Sequence, residues 1–128
     1  MQLCKQLSLT KVAAPLFVKA GTGLNDDLNG IENPVSFKLK GINDNIEIVQ
    51  SLAKWKRKRL HELEMPAGNG IVTDMRAIRP DEVISPIHSF LVDQWDWEKH
   101  ITATDRNISY LKETVEAIYQ ALLATNSR

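Results

Sequence analysis

The residues best equipped for chemistry fall in four short runs of the chain. Residues 88–98 read as a strand, and along a strand side chains at i, i+2 and i+4 share a face. Phe90, Val92, Gln94, Asp96 and Glu98 therefore point one way, and Leu91, Asp93, Trp95 and Trp97 the other. The second face, apolar and ending in two tryptophans, is expected to pack on the core. The first ends in an amide and carboxylates, whose burial without partners is costly. It faces either water or a polar ligand, and periodicity alone leaves both open.

Arg79-Pro80-Asp81-Glu82 leaves a second strand. A guanidinium fork suits a phosphate oxygen, and a glutamate three residues on supplies an acceptor beside it. Pro80 biases Arg79 toward extended backbone. An ordinary charged surface turn has the same composition. The third run is residues 51–59, where positions 54–59 hold five cations, Lys54, Lys56, Arg57, Lys58 and Arg59. On a helix these surround much of the cylinder, which is the habit of a solvated face, and no single lysine stands out. The fourth is residues 21–30, where Asn25, Asp26 and Asp27 suit turns by default and an ammonium group or a cation otherwise. There is no phosphate-loop or dinucleotide glycine motif. His61, His88 and His100 are spaced too widely for a metal pair, and no Ser/His/Asp order stands out.

The elements that must position these residues can be read from hydrophobic spacing. Residues 1–9 suit a helix tail or a lead-in, and residues 11–20, with Pro15 at the centre, an extended edge segment. Val35, Phe37 and Leu39 alternate with polar residues, and residues 41–45 turn the chain into a returning strand at 46–49. Ser51 is placed to cap a helix over 52–63. A second hairpin joins residues 71–79 to 88–97 through a connection at 80–86. Ile108, Leu111, Val115, Ile118, Tyr119 and Leu122 then fall at helical intervals within 104–124. The expectation is an α+β domain, its strands paired antiparallel, with flanking helices.

Composition narrows the classes. The chain has 128 residues, 43% hydrophobic and 25% charged, which suits a single globular unit and not a disordered one. Sixteen basic and sixteen acidic residues cancel, so no net field draws it to nucleic acid or anionic membrane. Cys4 is the only cysteine, which rules out an internal disulfide or a thiolate metal cluster. The first residues lack the pattern of a secretion signal, and no uncharged apolar run approaches the roughly 20 residues of a membrane helix. A cytoplasmic location is expected.

Read in order, LNDDLNG (24–30), QSLAKWKR (50–57), RPDE (79–82), VDQWDWEK (92–99) and LKETVEAIY (111–119) resemble the ammonia-dependent asparagine synthetases, the aspartate–ammonia ligases. The resemblance covers essentially the whole chain. It implies the antiparallel-sheet catalytic core of the class II aminoacyl-tRNA synthetases, present here as one partial catalytic domain over residues 1–128. The implied reaction joins L-aspartate to ammonia, splitting ATP to AMP and pyrophosphate through a β-aspartyl-adenylate. Carried over by position, Arg79 meets the α-phosphate, Glu82 faces the nucleotide, and His88 lies on the nucleotide side. Asp26, Ser51, Lys56, Gln94 and Asp96 surround the amino acid, with Lys56 on a substrate carboxylate and Asp26 on the α-amino group; Arg79 and Lys56 are the catalytic candidates. Mg²⁺ is expected with ATP, its ligands lying past residue 128, and the full-length relatives are expected to be homodimers without nucleic-acid or membrane partners.

Two departures shape the expectation for this chain. The family is considerably longer, so the third class II motif and part of the first-motif helix are expected to be missing and the chain alone inactive. Gln50 stands where the family usually has histidine. The competing readings are a non-catalytic amino-acid-binding or regulatory remnant, and a relative of the aspartyl- or asparaginyl-tRNA synthetases.

Overall fold

The structure, a computed structural model, describes residues 1–126. In chain order it contains α1 (Gln2–Leu7), β1 (Leu9–Lys11), β2 (Phe17–Lys19), β3 (Ser36–Lys38), β4 (Asn45–Ile48), α2 (Ala53–Glu62), β5 (Gly70–Ile78), β6 (Leu91–Lys99) and α3 (Ile108–Asn126). It is a small α+β arrangement with one mixed and one antiparallel three-stranded sheet, ordered β1-β5-β6 and β2-β4-β3.

Both expected hairpins form. β3 and β4 pair antiparallel with Phe37 opposite Ile46. Their turn is closed by the Ile42 N–H donating to the Leu39 carbonyl at 3.1 Å, with Gly41 at φ 84° in the third position, which only glycine enters without strain. β5 and β6 pair over nine residues, from Gly70 opposite Lys99 to Ile78 opposite Leu91. The expectation of purely antiparallel pairing needs correction: β1 runs parallel to β5, Leu9 beside Gly70. That contact joins residues some sixty positions apart, and local periodicity carries no trace of it.

β5 is the central strand, with Ile71, Val72, Thr73, Met75 and Ala77 buried and Asp74 and Arg76 exposed. One face packs with Val18, Val49 and Leu52, beneath α2. Across the other, Val72 joins Leu7, Leu9, Trp97, Ala117 and Ile118, beneath α1 and α3. This second cover reaches only one end of the sheet. The face expected to be dry is therefore wet over most of its length: Trp97 is packed, but Leu91 is 56% and Trp95 60% exposed. The stripe expected to bury α3 is also mostly open, since Ile108, Leu111, Val115, Tyr119 and Leu122 are exposed while Ala117, Ile118 and Ala121 face the core.

Element ends show local capping chemistry. α3 starts four residues later than its spacing suggests, where Asn107 Oδ1 accepts the Tyr110 N–H at 2.9 Å. Ser51 is not the N-cap of α2, which is Leu52; its Oγ instead accepts the Ala53 N–H at 3.2 Å.

Candidate active site

In the antiparallel β5–β6 pair, residues directly opposite share a face. Thr73 opposes Asp96, Met75 opposes Gln94 and Ala77 opposes Val92. Gln94, Asp96 and Glu98 thus lie on the same face of the sheet as the buried row of β5, and that is the side where α2 packs.

Of the five cations in α2, one is turned onto this face. Lys56 is 4% exposed. Its Nζ donates to Asp96 Oδ1 at 2.5 Å and to the Trp97 carbonyl at 3.0 Å, and lies 3.6 Å from Glu98 Oε2. Arg57 flanks the group, its Nε 3.8 Å from Glu98 Oε1. The opposed charges explain why polar groups tolerate this site: each carboxylate that leaves water gains a cation, and the ammonium gains three oxygens. They also mean that Lys56 is already engaged. A substrate carboxylate can reach it only by displacing one of these acceptors. Gln94, two residues along the same face, is exposed to solvent.

At the far end of the face the chain leaves β5 through Arg79, whose N–H donates to the Phe90 carbonyl. Strand rise puts about 20 Å between Asp96 and Phe90. The Arg79 guanidinium is held by Nε donating to the Gln50 carbonyl at 3.1 Å, and it lines a cleft with Leu28, Asn29, Glu32, Asp81 and Glu82. Glu82 returns its N–H to the Arg79 carbonyl, and Asp81 accepts the Asn33 N–H at 2.9 Å, tying this turn to residues 28–33. Leu28 sits at φ 52°, a left-handed conformation that is costly outside glycine and more frequent where a fold shapes a site.

The loop at 21–30 is fixed by Asn25, which the motif contains but the choice of site residues passed over. Its Oδ1 accepts the Gln50 N–H at 2.8 Å, and its Nδ2 donates to the Ile48 carbonyl and to Glu47. Asp26 is half-buried and meets α2 through Lys54, whose Nζ is 3.7 Å from Asp26 and 3.4 Å from Asp27. The Asp27 carboxyl is held below its ordinary range, first by its own backbone amide and next by the Lys54 charge. Its ionised form therefore stabilises the loop above the ordinary carboxylate range, a contribution lost as pH falls through the lowered value. An NMR titration of the Asp27 carboxyl in Lys54→Met is expected to show the midpoint moving up toward that of a free aspartate, though not fully, because the backbone hydrogen bond survives. No movement would assign the whole effect to the backbone.

The structure thus joins Lys56 to Asp96, with Gln94 exposed on the same face and Ser51 at the start of α2. Arg79 and Glu82 share a cleft, and Asp26 lies in the loop pinned between them. His88 departs from this group. β6 begins at Leu91, so His88 does not open the strand; it lies in an exposed turn, its Nδ1 2.9 Å from Ser85 Oγ. Pro86 sits inside that turn, between Ser85 and His88, and has no N–H to donate. Glu98 and Gln50 are further members that the choice of site residues missed. Period-two spacing from Asp96 marks the first, and the second stands where the family usually has histidine.

The aspartate–ammonia ligase family model matches residues 1–128. Relatives named aspartate–ammonia ligase are 60% identical in Clostridium perfringens over 96% of this chain and 37% of the relative. In Bacteroides fragilis the figures are 55%, 98% and 36%, and in Clostridium tetani 52%, 96% and 36%. The chain belongs to the aspartate–ammonia ligase family. It spans a little over a third of the length of the curated relatives it matches. No helix among the described residues is long and apolar enough to cross a membrane.

Proposed function

We propose that this chain carries the aspartate-binding side, and the α-phosphate contact, of an ATP-dependent aspartate–ammonia ligase built on the class II aminoacyl-tRNA synthetase core. The observation that supports it is the single continuous face bearing Gln94, Asp96 and Glu98 around buried Lys56, with Arg79 at its other end. Family membership gives that face its chemistry. The aspartate side-chain carboxylate attacks the α-phosphorus of ATP, an O–P bond forms, and pyrophosphate leaves. Ammonia then attacks the activated carboxyl carbon and AMP departs.

The first step brings two anions together, and Arg79, with its Nε fixed on Gln50, offers its remaining N–H groups to the charge developing on the phosphate. Glu82 stands on the nucleotide side of the same cleft. Asp26 and Asp96 are acceptors for the α-ammonium group, while Gln94 and Ser51 orient the amino acid for in-line attack. Lys56 supports Asp96 at this site, and takes a substrate carboxylate where it exchanges Glu98 for it. No cluster of His, Cys, Asp or Glu able to hold a metal ion occurs among the described residues. The balanced charge supports a reading without nucleic-acid or membrane partners; a cytoplasmic location and a homodimer belong to the same proposal.

The test is calorimetric titration of the 128-residue chain with L-aspartate and with ATP. Aspartate is expected to bind and Asp96→Asn to abolish binding; Arg79→Ala is expected to weaken ATP by about a hundredfold. A chain indifferent to aspartate overturns the proposal. Aspartate-dependent pyrophosphate exchange by these 128 residues, which span a little over a third of their relatives' length, is expected to be absent, and robust exchange would contradict the assignment of a partial site. A non-catalytic amino-acid-binding role predicts aspartate binding that is indifferent to Arg79→Ala and ATP.

A further inference from the structure

Gln50 is 1% exposed, among the most completely buried side chains of the fold, and its Nε2 has no hydrogen-bond partner among the described residues. A buried amide donor left unpaired carries the full cost of its lost hydration. Folds seldom retain one unless something outside the protein's own hydrogen bonds satisfies it. The residue's main chain shows where it sits. Its N–H is held by Asn25 Oδ1 and its carbonyl by Arg79 Nε, so Gln50 is the hinge between the 21–30 loop and the guanidinium that lines the cleft. The Arg79 cation is fixed against that carbonyl, and what such a cation recruits is an anionic oxygen.

We propose that Gln50 is a ligand-binding residue whose side-chain amide donates a hydrogen bond to an anionic oxygen held at Arg79. The group is a carboxylate oxygen of the amino acid or a phosphoryl oxygen of the nucleotide, chemistry common to both. The residue also acts through its backbone, since the same carbonyl that fixes Arg79 Nε leaves the outer guanidinium nitrogens to meet that oxygen from the other side. The inference rests on the function proposed above and adds to it a specificity element: a donor that favours charged oxygen over an uncharged isostere such as an amide –NH₂.

The amide would serve a different purpose if it met a buried water, or an acceptor reached by rotating its terminal group. It would then stabilise the empty fold, and stability tells the two cases apart. Gln50→Met keeps the length of the side chain and removes the donor. Thermal unfolding without ligand is expected to show this variant as stable as the wild type or more so. Titrations with L-aspartate and with ATP, run separately on the full chain, are expected to show one of the two weakened tenfold or more, the affected ligand naming the source of the oxygen. A lowered melting temperature without ligand overturns the inference whatever the affinities, because the amide then has a partner within the fold. Unchanged affinity for both ligands, where the wild type binds either, overturns it alone and leaves the proposed function standing. A wild type that binds neither overturns the proposed function, and this inference with it.

Discussion

Gly70→Ala is expected to lower the melting temperature by about 10 °C or more, through a loss of about 3 kcal/mol. Gly70 opens β5 at the point where three strands meet, beside Leu9 of β1 and opposite Lys99 of β6. A Cβ built there lies 2.3 Å from the Glu98 carbonyl oxygen, 2.8 Å from Leu9 Cδ2 and 2.9 Å from Lys99 Cα. Two of the three are backbone atoms of the paired strand, so no side-chain rotation relieves them, and the strands must part. The contrast is Gly41, whose Cβ would meet nothing but whose φ of 84° makes alanine pay only the left-handed penalty of about 1 kcal/mol. Differential scanning calorimetry of both variants checks the order. Equal losses would mean that the β5–β6 pair yields at Gly70 far more easily than its hydrogen bonds suggest. The effect also reaches the site: the Glu98 carbonyl is the group pushed away, and the Trp97 carbonyl and Glu98 carboxylate beside it hold Lys56.

The dependence of the site on such non-local contacts shows what was legible in the residues and what was not. Strand alternation is set by covalent geometry, so Gln94, Asp96 and Glu98 could be put on one face before any tertiary structure was known. Which face of β6 is dry depends on what lies across it, and here α1 and α3 cover only the Trp97 end, leaving Trp95 to solvent. The same cause leaves most of the apolar stripe of α3 open. The two hairpins are local and followed from alternation and turn residues. The parallel docking of β1 on β5 is not local and left no periodic signal. Phe90 and Val92 continue the alternation from His88, but the ladder stops at Leu91, where the chain has already turned. Within α2, spacing assigns each cation to a row of the helix, but the row that meets the sheet is chosen by the carboxylates on β6.

That choice leads to the second large effect. Lys56→Met is expected to destabilise the fold by about 3 kcal/mol, the scale for removing one partner of a buried ion pair. The side chain of Lys56 is 6% exposed, and those of Asp96 and Glu98 only 19% and 28%. Methionine fills the volume but leaves two neighbouring carboxylates without their shared cation. The variant Lys58→Met supplies the control from the same run of charge: Lys58 is exposed and pairs along its own helix with Glu62, so its loss is expected to leave the unfolding midpoint in place. Urea unfolding reads both, as a fall in midpoint at constant slope for Lys56→Met alone. Combining Lys56→Met with Glu98→Gln removes one of the two stranded charges, so the pair is expected to cost less than the sum of its singles, a coupling that independent sites would not show. Additive losses would place the stabilising role of Lys56 in its packed methylenes instead of its charge. The functional consequence follows from the same geometry. Asp96 owes its position to Lys56, so aspartate affinity of the folded variant is expected to fall, whereas Lys58→Met leaves it unchanged, although the two lysines are only two positions apart in a run that composition alone reads as uniform.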